Sequence, residues 1–335
     1  MKARLDGVSV RLGSEGRSLY DQSGYGRPEG SGLRLSPEEA CYLLSRKRIE
    51  IPGYDFDQLS AHFAKNPEFL RTFLVYRDLR ERGYAVQTGP QDFRVFRRGH
   101  KPGSGQSQYM VRVLSERDVV DFSLLIKETT SSTHMRKQHI LAIVDDESEL
   151  TYYEIKVQKL PAAVPKEPLP TLKGLLVGKS AFVCPREEER TLLASFGIAL
   201  DDERLILSPL EIIYLARAGV LTLWNEEGPV RLDDFRALVA DQDKELEQKM
   251  MVYTNLRQEG FIPRTGYKFG HHFRVYSGLK PHSEMLVHAV APGDMVPMSS
   301  ISRSVRLAHS VKKKMLFAAQ GTAGIQYVEF ARIKL

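Results

Sequence analysis

The sequence predicts an α/β (α+β) protein built by tandem duplication of a two-domain unit. Each unit has a small α/β N-terminal domain and a mixed-sheet C-terminal domain. Three observations predict this. Four blocks recur in one order roughly 175 positions apart, far beyond the ~20–50 residues of a solenoid repeat. The offset drifts from block to block, as insertions and deletions in surface loops produce. Within each copy, helix-start and helix-stop signals alternate with period-two strands.

Each element has its own local signal. GLRLSPEEACYLLSRKRIEI, from Gly32, is matched by RLILSPLEIIYLARAGVLTL, from Arg204. Both predict a helix opened by Ser-Pro, with Ser36 or Ser208 as N-cap and proline at the first helical position. VYRDLRERGYAVQTG, from Val75, is matched by VYTNLRQEGFIPRTG, from Val252. These predict helices stopped at Gly83 and Gly260. FRVF at 93–96 meets FRVY at 273–276, a period-two strand. A further strand (YMVRVLS or MLVHAVA) and a helix come next. THMRKQHILAI, from Thr133, then aligns with AHSVKKKMLFA, from Ala308, opening a hairpin. Its turn is expected at Asp145 to Ser148 in the first copy and at Gly321 to Gly324 in the second. LPAAVPKEPLPTLKG, from Leu160, separates the copies and reads as an extended, semi-rigid linker.

Composition bounds the function. Hydrophobic residues make up 42% of the 335, enough for real cores, and charged residues 27%. No apolar run approaches the ~20 residues of a membrane span. The N-terminus lacks the apolar stretch of a signal peptide. Cys41 and Cys184 have no ligand spacing and read as buried thiols in a reducing, cytoplasmic setting. A net charge of +6 favours a polyanionic partner. GLLVGKS at 174–180 is one residue short of a phosphate-binding loop, with no convincing strand before it, and is set aside. No His, Cys, Asp and Glu cluster has metal-ligand spacing.

The chemistry is suggested by a difference between the copies. The second carries Tyr276, His282 and Lys313 where the alignment gives the first Phe96, Gln106 and Gln138. Each replacement removes a titratable group and keeps approximate size. One copy then works and the other is a scaffold. TGYKFGHHFRVY also carries three residues that TGPQDFRVF lacks, so the loop around Tyr267 to Gly270 belongs to the working copy. Tyrosine, histidine and lysine suit metal-free cleavage of RNA, in which a 2′-hydroxyl attacks its own phosphate. A histidine, with an ordinary pKa of about 6.5, can give a proton near neutrality. A lysine can stabilise the added negative charge. A tyrosine, at about 10, needs nearby cations to act as a base. Arg306 and Lys313 stand seven apart, near two helical turns, and so are expected on one helix face. His271, His272, His288 and His309 read as packing residues. His309 has an apparent counterpart, His134, in the first copy.

With these motifs assembled, together with LYDQSGYGRPEGSGLRLSPEEACYLL, PHSEMLV and VRLAHSVKKKMLFA, the chain resembles the archaeal tRNA-splicing endonuclease family over nearly its whole length. It is similar to the homodimeric type, in which each chain holds one active and one degenerate unit. The resemblance implies cleavage of precursor tRNA at bulge–helix–bulge junctions, leaving 2′,3′-cyclic phosphate and 5′-hydroxyl ends. It implies Tyr276 as general base, His282 as general acid and Lys313 as the charge stabiliser. Arg306 matches an arginine that clamps a bulged base, and Arg332 its partner. Asp145, Asp146 and Glu147 match an acidic loop that docks on the other chain's active unit. A substrate with two similar cut sites also suits a two-fold dimer. Six positions separate Tyr276 from His282, fewer than the family pattern implies, so the departure falls on Ser277 to Pro281.

The expected domains are 1–82 and 83–160 for the degenerate unit, a linker at 161–173, and 174–258 and 259–335 for the active unit. No cofactor, membrane or DNA partner is expected. The alternatives are a non-catalytic RNA-binding protein of the same fold, or a metal-dependent DNA nuclease, which would need paired acidic ligands that the second copy does not place.

Overall fold

The computed structural model describes residues 1–160, 169–321 and 324–335. Most of the proline-rich segment, and the centre of the turn expected at Gly321 to Gly324, lie outside the described residues. The chain divides into two compact units. One comprises Met1–Val157, Met295–Arg303 and Phe330–Leu335; the other comprises Gln158–Asp294 and Ser304–Glu329.

The first unit opens with a four-stranded antiparallel sheet of Ala3–Asp6, Ser9–Leu12, Arg27–Glu29 and Gly32–Leu35. Helix α1 (Pro37–Ser45) comes after it, with Ser36 and Glu39 capping each other's backbone N–H. Glu39 does more than cap. Its Oε1 accepts from the Gly26 N–H at 2.7 Å and its Oε2 from the Ser36 N–H at 2.9 Å. Burial raises its carboxyl to about 7. Helix α2 (Phe69–Glu81) stops at Gly83, whose φ of +88° suits glycine.

The C-terminal part of this unit comprises β1 (Val86–Thr88), β2 (Phe93–Phe96), β3 (Ser107–Ser115), α3 (Phe122–His134), β4 (Gln138–Val144) and β5 (Leu150–Gln158). The strands lie in that spatial order. All pairs are antiparallel except β3–β4, joined in parallel through α3. Alternate residues Phe93, Val95, Val111, Val113, Ile140 and Ala142 are buried with Tyr76 and Leu79 of α2.

The second unit repeats the plan. Its N-terminal sheet has six strands. Two of them, β6 (Leu172–Val177) and β7 (Ser180–Val183), form a tight antiparallel hairpin around Gly178 at φ +61°. GLLV of GLLVGKS therefore lies within β6 itself and is not a loop that comes after a strand. It leads into a second strand, and not into the helix a phosphate loop requires. Helix α4 (Pro209–Arg217) carries the matching capping box through Ser208 and Glu211. Helix α5 (Leu246–Gln258) stops at Gly260, with φ +84°. Strands β8 (Ile262–Thr265), β9 (Phe273–Tyr276) and β10 (Met285–Ala289), the part of helix α6 (Met298–Ser310) from Ser304, strand β11 (Lys314–Gly321) and the part of β12 (Gly324–Ile333) up to Glu329 complete it. The strand order is again sequential, with β10–β11 the parallel pair.

The two cysteines differ. Cys41 is buried, and burial pushes its thiol up to about 12. Cys184 is exposed, against expectation, because the alternation that buries Val183 turns the next side chain outward. Among the described residues no helix is long and apolar enough to cross a membrane.

Candidate active site

Pairing in the second unit carries the three predicted residues to one end of three neighbouring strands. Val275 of β9 lies opposite Met285 of β10, so Tyr276 is the next residue outward. Met285 in turn lies beside Lys314 of β11. His282 therefore sits just before the start of β10, and Lys313 just before the start of β11. Lys313 Nζ donates to the carbonyl of Ser283 at 2.5 Å, one residue past His282. Tyr276 is half-buried with Arg274 Cζ 5.9 Å from its ring centre, and His282 is exposed. Tyr276 also lines a cavity of about 1170 Å³ in this unit, together with Tyr267, Leu279 and Lys280.

The short connection from Tyr276 to His282 is braced by polar contacts that sequence reading missed. Ser277 Oγ donates to Glu284 Oε1 at 3.0 Å, and Lys280 Nζ donates to Ser277 Oγ at 2.8 Å and also reaches Glu284. The Lys280 contact holds the Glu284 carboxyl below its ordinary range. The Glu284 N–H donates to Val275 O at 3.0 Å, closing the loop at its base. The spacing of Lys280 and Glu284 was the available signal.

Lys313 is not on α6, which corrects the expectation that it shares a helix face with Arg306. The helix ends at Ser310. Lys312 then turns left-handed at φ +55°, and the Lys313 N–H returns to Ala308 O at 2.8 Å. The first unit ends α3 in the same way. There Arg136 takes φ +57° and the Lys137 N–H returns to Ser132 O at 2.9 Å.

That match overturns one aligned pair. Arg136 corresponds to Lys312, so Lys137, not Gln138, stands in the place of Lys313. Lys137 Nζ donates to Ser107 O at 2.9 Å, repeating the Lys313–Ser283 bond. Gln138 occupies the place of Lys314; both are exposed and open the matching strands. By the same shift His309 faces Thr133, and His134 is not its counterpart. The letter runs around the helix ends favoured a register one residue off, and such a slip exchanges strand faces. Phe96 and Gln106 keep their assignments. Phe96 ends β2, and its ring is buried where Tyr276 is not. Gln106 immediately precedes Ser107, as His282 precedes Ser283.

The remaining predicted residues lie elsewhere. Arg306 is exposed on α6, and Arg332 is exposed near the end of β12. In the β4–β5 turn, Asp145 Oδ1 accepts from the N–H groups of Glu147 and Glu149 at 3.0 and 2.8 Å. Asp146 pairs with Arg117, and Glu147 is exposed. Behind the hairpin tip, His272 and His288 stack with ring centres 4.3 Å apart, and His271 meets His288 edge-on at 5.8 Å. Burial, with His288 adding, lowers His271 and His272 to about 4. Among the described residues no group of three or more His, Cys, Asp and Glu is placed to hold a metal ion.

Comparison with known proteins agrees with the doubled plan. The model of the tRNA intron endonuclease catalytic C-terminal domain matches residues 69–152 and again 246–327. That of the tRNA intron endonuclease N-terminal domain matches 1–62 and 172–236. A tRNA-splicing endonuclease of Methanococcoides burtonii is 38% identical over 333 residues, covering 95% of each chain. One of Methanosarcina barkeri is 38% identical over 358 residues, covering 100% of each. One of Natronomonas pharaonis is 35% identical over 335 residues, covering 95% of each.

Proposed function

The chain belongs to the tRNA intron endonuclease family and is an RNA endonuclease; from that premise we propose that it cuts precursor tRNA at bulge–helix–bulge intron junctions by metal-independent acid–base chemistry. Tyr276 accepts the proton of the 2′-hydroxyl next to the cut. The freed oxygen attacks the adjacent phosphorus, forming the O2′–P bond. His282 donates its proton to the departing 5′-oxygen as the P–O5′ bond breaks. The products are a 2′,3′-cyclic phosphate and a 5′-hydroxyl. Lys313 stabilises the charge gathered on the phosphoryl oxygens; its ammonium has three donors and spends one on Ser283 O. Arg306 and Arg332 hold a bulged base. The active form is a homodimer in which the acidic turn of one chain, at Asp145, Asp146 and Glu147, docks on the active unit of the other. Asp145 shapes that turn from within, leaving Glu147 to face a partner.

One observation carries this reading. Two units share the same strand framework and the same lysine–carbonyl bond. They differ where a proton would be taken and where it would be given, Phe96 against Tyr276 and Gln106 against His282. The test is a pair of substitutions at equivalent places, assayed on a precursor tRNA. His282→Gln is expected to slow single-turnover cleavage by about 10²–10⁴-fold, the usual worth of a general acid. Gln106→Ala is expected to leave it unchanged. Equal activity of His282→Gln and the parent would refute the assignment.

A further inference from the structure

Among the described residues, the hairpin tip between β8 and β9 is three residues longer than its counterpart in the first unit. Both tips close in the same way. The Gly89 N–H donates to Asp92 O at 3.0 Å, and the Gly266 N–H donates to His272 O at 3.0 Å. Asp92 and His272 then do the same work. Asp92 Oδ2 accepts from the Val113 N–H at 2.7 Å, and His272 Nδ1 accepts from the Ala289 N–H at 2.9 Å. Between these fixed points stand Pro90 and Gln91 in one unit and Tyr267 to His271 in the other. The added length is a discrete projection on an unchanged base.

The projection is a hydrogen-bonded turn. Tyr267–Phe269 form a single 3-10 turn closed by the Phe269 N–H to Gly266 O at 2.8 Å and the Gly270 N–H to Tyr267 O at 2.9 Å. Gly270 takes φ +69°. A Cβ on Gly266 would meet His271 O at 2.7 Å, so the chain is pinned there too. The turn starts at the far end of β9 from Tyr276, but it reaches back. The Phe269 ring centre lies 5.9 Å from Lys313 Nζ and 5.0 Å from Lys268 Nζ.

Tyr267 gains nothing from this arrangement as a folding residue. It is 88% exposed. It lines the same cavity as Tyr276. Lys268 and Lys280 are exposed close by in sequence and cavity, and Lys312 and Lys314 flank Lys313. An exposed ring that shares a cavity with Tyr276 and Lys280 has the make-up of a platform for an unstacked base.

We propose that Tyr267 is a base-stacking residue, whose ring receives a nucleobase of the bulged substrate near the cleaved bond. This inference rests on the endonuclease reading above. Stacking is tolerant of base identity, because every base has a π face. It therefore suits a substrate defined by the shape of its bulge rather than by sequence. Tyr267 is a positioning residue and takes no part in proton transfer.

The experiment uses the full chain and a bulged RNA carrying 2-aminopurine at each bulge position in turn, with a 2′-deoxy sugar at each cut site to block cleavage. The parent protein is expected to quench the probe at one position. Tyr267→Ala is expected to lose that quench, to weaken binding about tenfold, and to slow single-turnover cleavage of the all-RNA substrate to match. Tyr267→Trp, which keeps a stacking face, is expected to restore all three. Unchanged quenching and binding in Tyr267→Ala would overturn the proposal. So would a change in sedimentation coefficient with RNA binding intact, which would make the ring a protein contact. Failure of the parent to cut the all-RNA substrate would instead bring down the endonuclease reading, and this inference with it.

Discussion

Lys313 and Lys137 each send an ammonium to the carbonyl of the serine that leads into the next strand. The bond survives in the first unit, where phenol and imidazole are both gone, so it is architectural there. In the second unit it pins the peptide that comes after His282, and under the proposed chemistry Lys313 would both position the acid and face the phosphate. The two lysines should separate these tasks. Lys137→Met is expected to cost about 1 kcal/mol, a net charged hydrogen bond at a partly exposed site, while leaving cleavage intact. Lys313→Met should cost a similar amount and lose cleavage by at least about 10²-fold. Urea midpoints and single-turnover rates check both; an equal loss of cleavage in Lys137→Met would contradict the division. Tyr276 and His282 were legible from sequence because Phe-Arg-Val-Tyr forms a strand, and His-Ser comes just before one, whose register the flanking apolar residues lock. The partner of Lys313 was not. A run of lysines gives no sign that Lys312 turns left-handed, and that turn sets which lysine reaches Ser283.

At the scale of elements, local chemistry was readable: the Ser36 and Ser208 caps, the stops at Gly83 and Gly260, the alternation of Phe273 and Val275. Contacts made between elements were not. His271, His272 and His288 looked like scattered packing residues; they form one stack under the hairpin tip, against Glu245 and Lys249 of the α5 end. The stack has a pH signature. Burial holds His271 and His272 near 4 in the folded chain, whereas the unfolded chain takes up protons near 6.5. A depressed folded value means the stabilising effect is full above about 6.5 and is lost as pH falls toward 4. Each histidine contributes a slope of up to about 1.4 kcal/mol per pH unit in that window. Trp224, the single tryptophan, lies in the second unit and reports its unfolding. Its urea midpoint is expected to fall between pH 7 and pH 5, less steeply in His271→Gln. A flat midpoint would show that the stack is not held neutral.

At the scale of the molecule, duplication was the plainest feature of the sequence, because four ordered blocks survive the drift of their loops. It leaves one chain with one complete strand-end constellation and one that keeps only the lysine. Under the proposed function such a chain would offer a single cutting centre, and a substrate with two junctions would then call for two chains. The measurement that tests this most directly is cleavage of a labelled RNA with two three-nucleotide bulges flanking a short helix, in excess EDTA, with analysis of the product ends. The proposed chemistry predicts two cuts, each leaving a 2′,3′-cyclic phosphate and a 5′-hydroxyl, both abolished in His282→Ala. Absence of cutting in EDTA, restored by added magnesium, would contradict it.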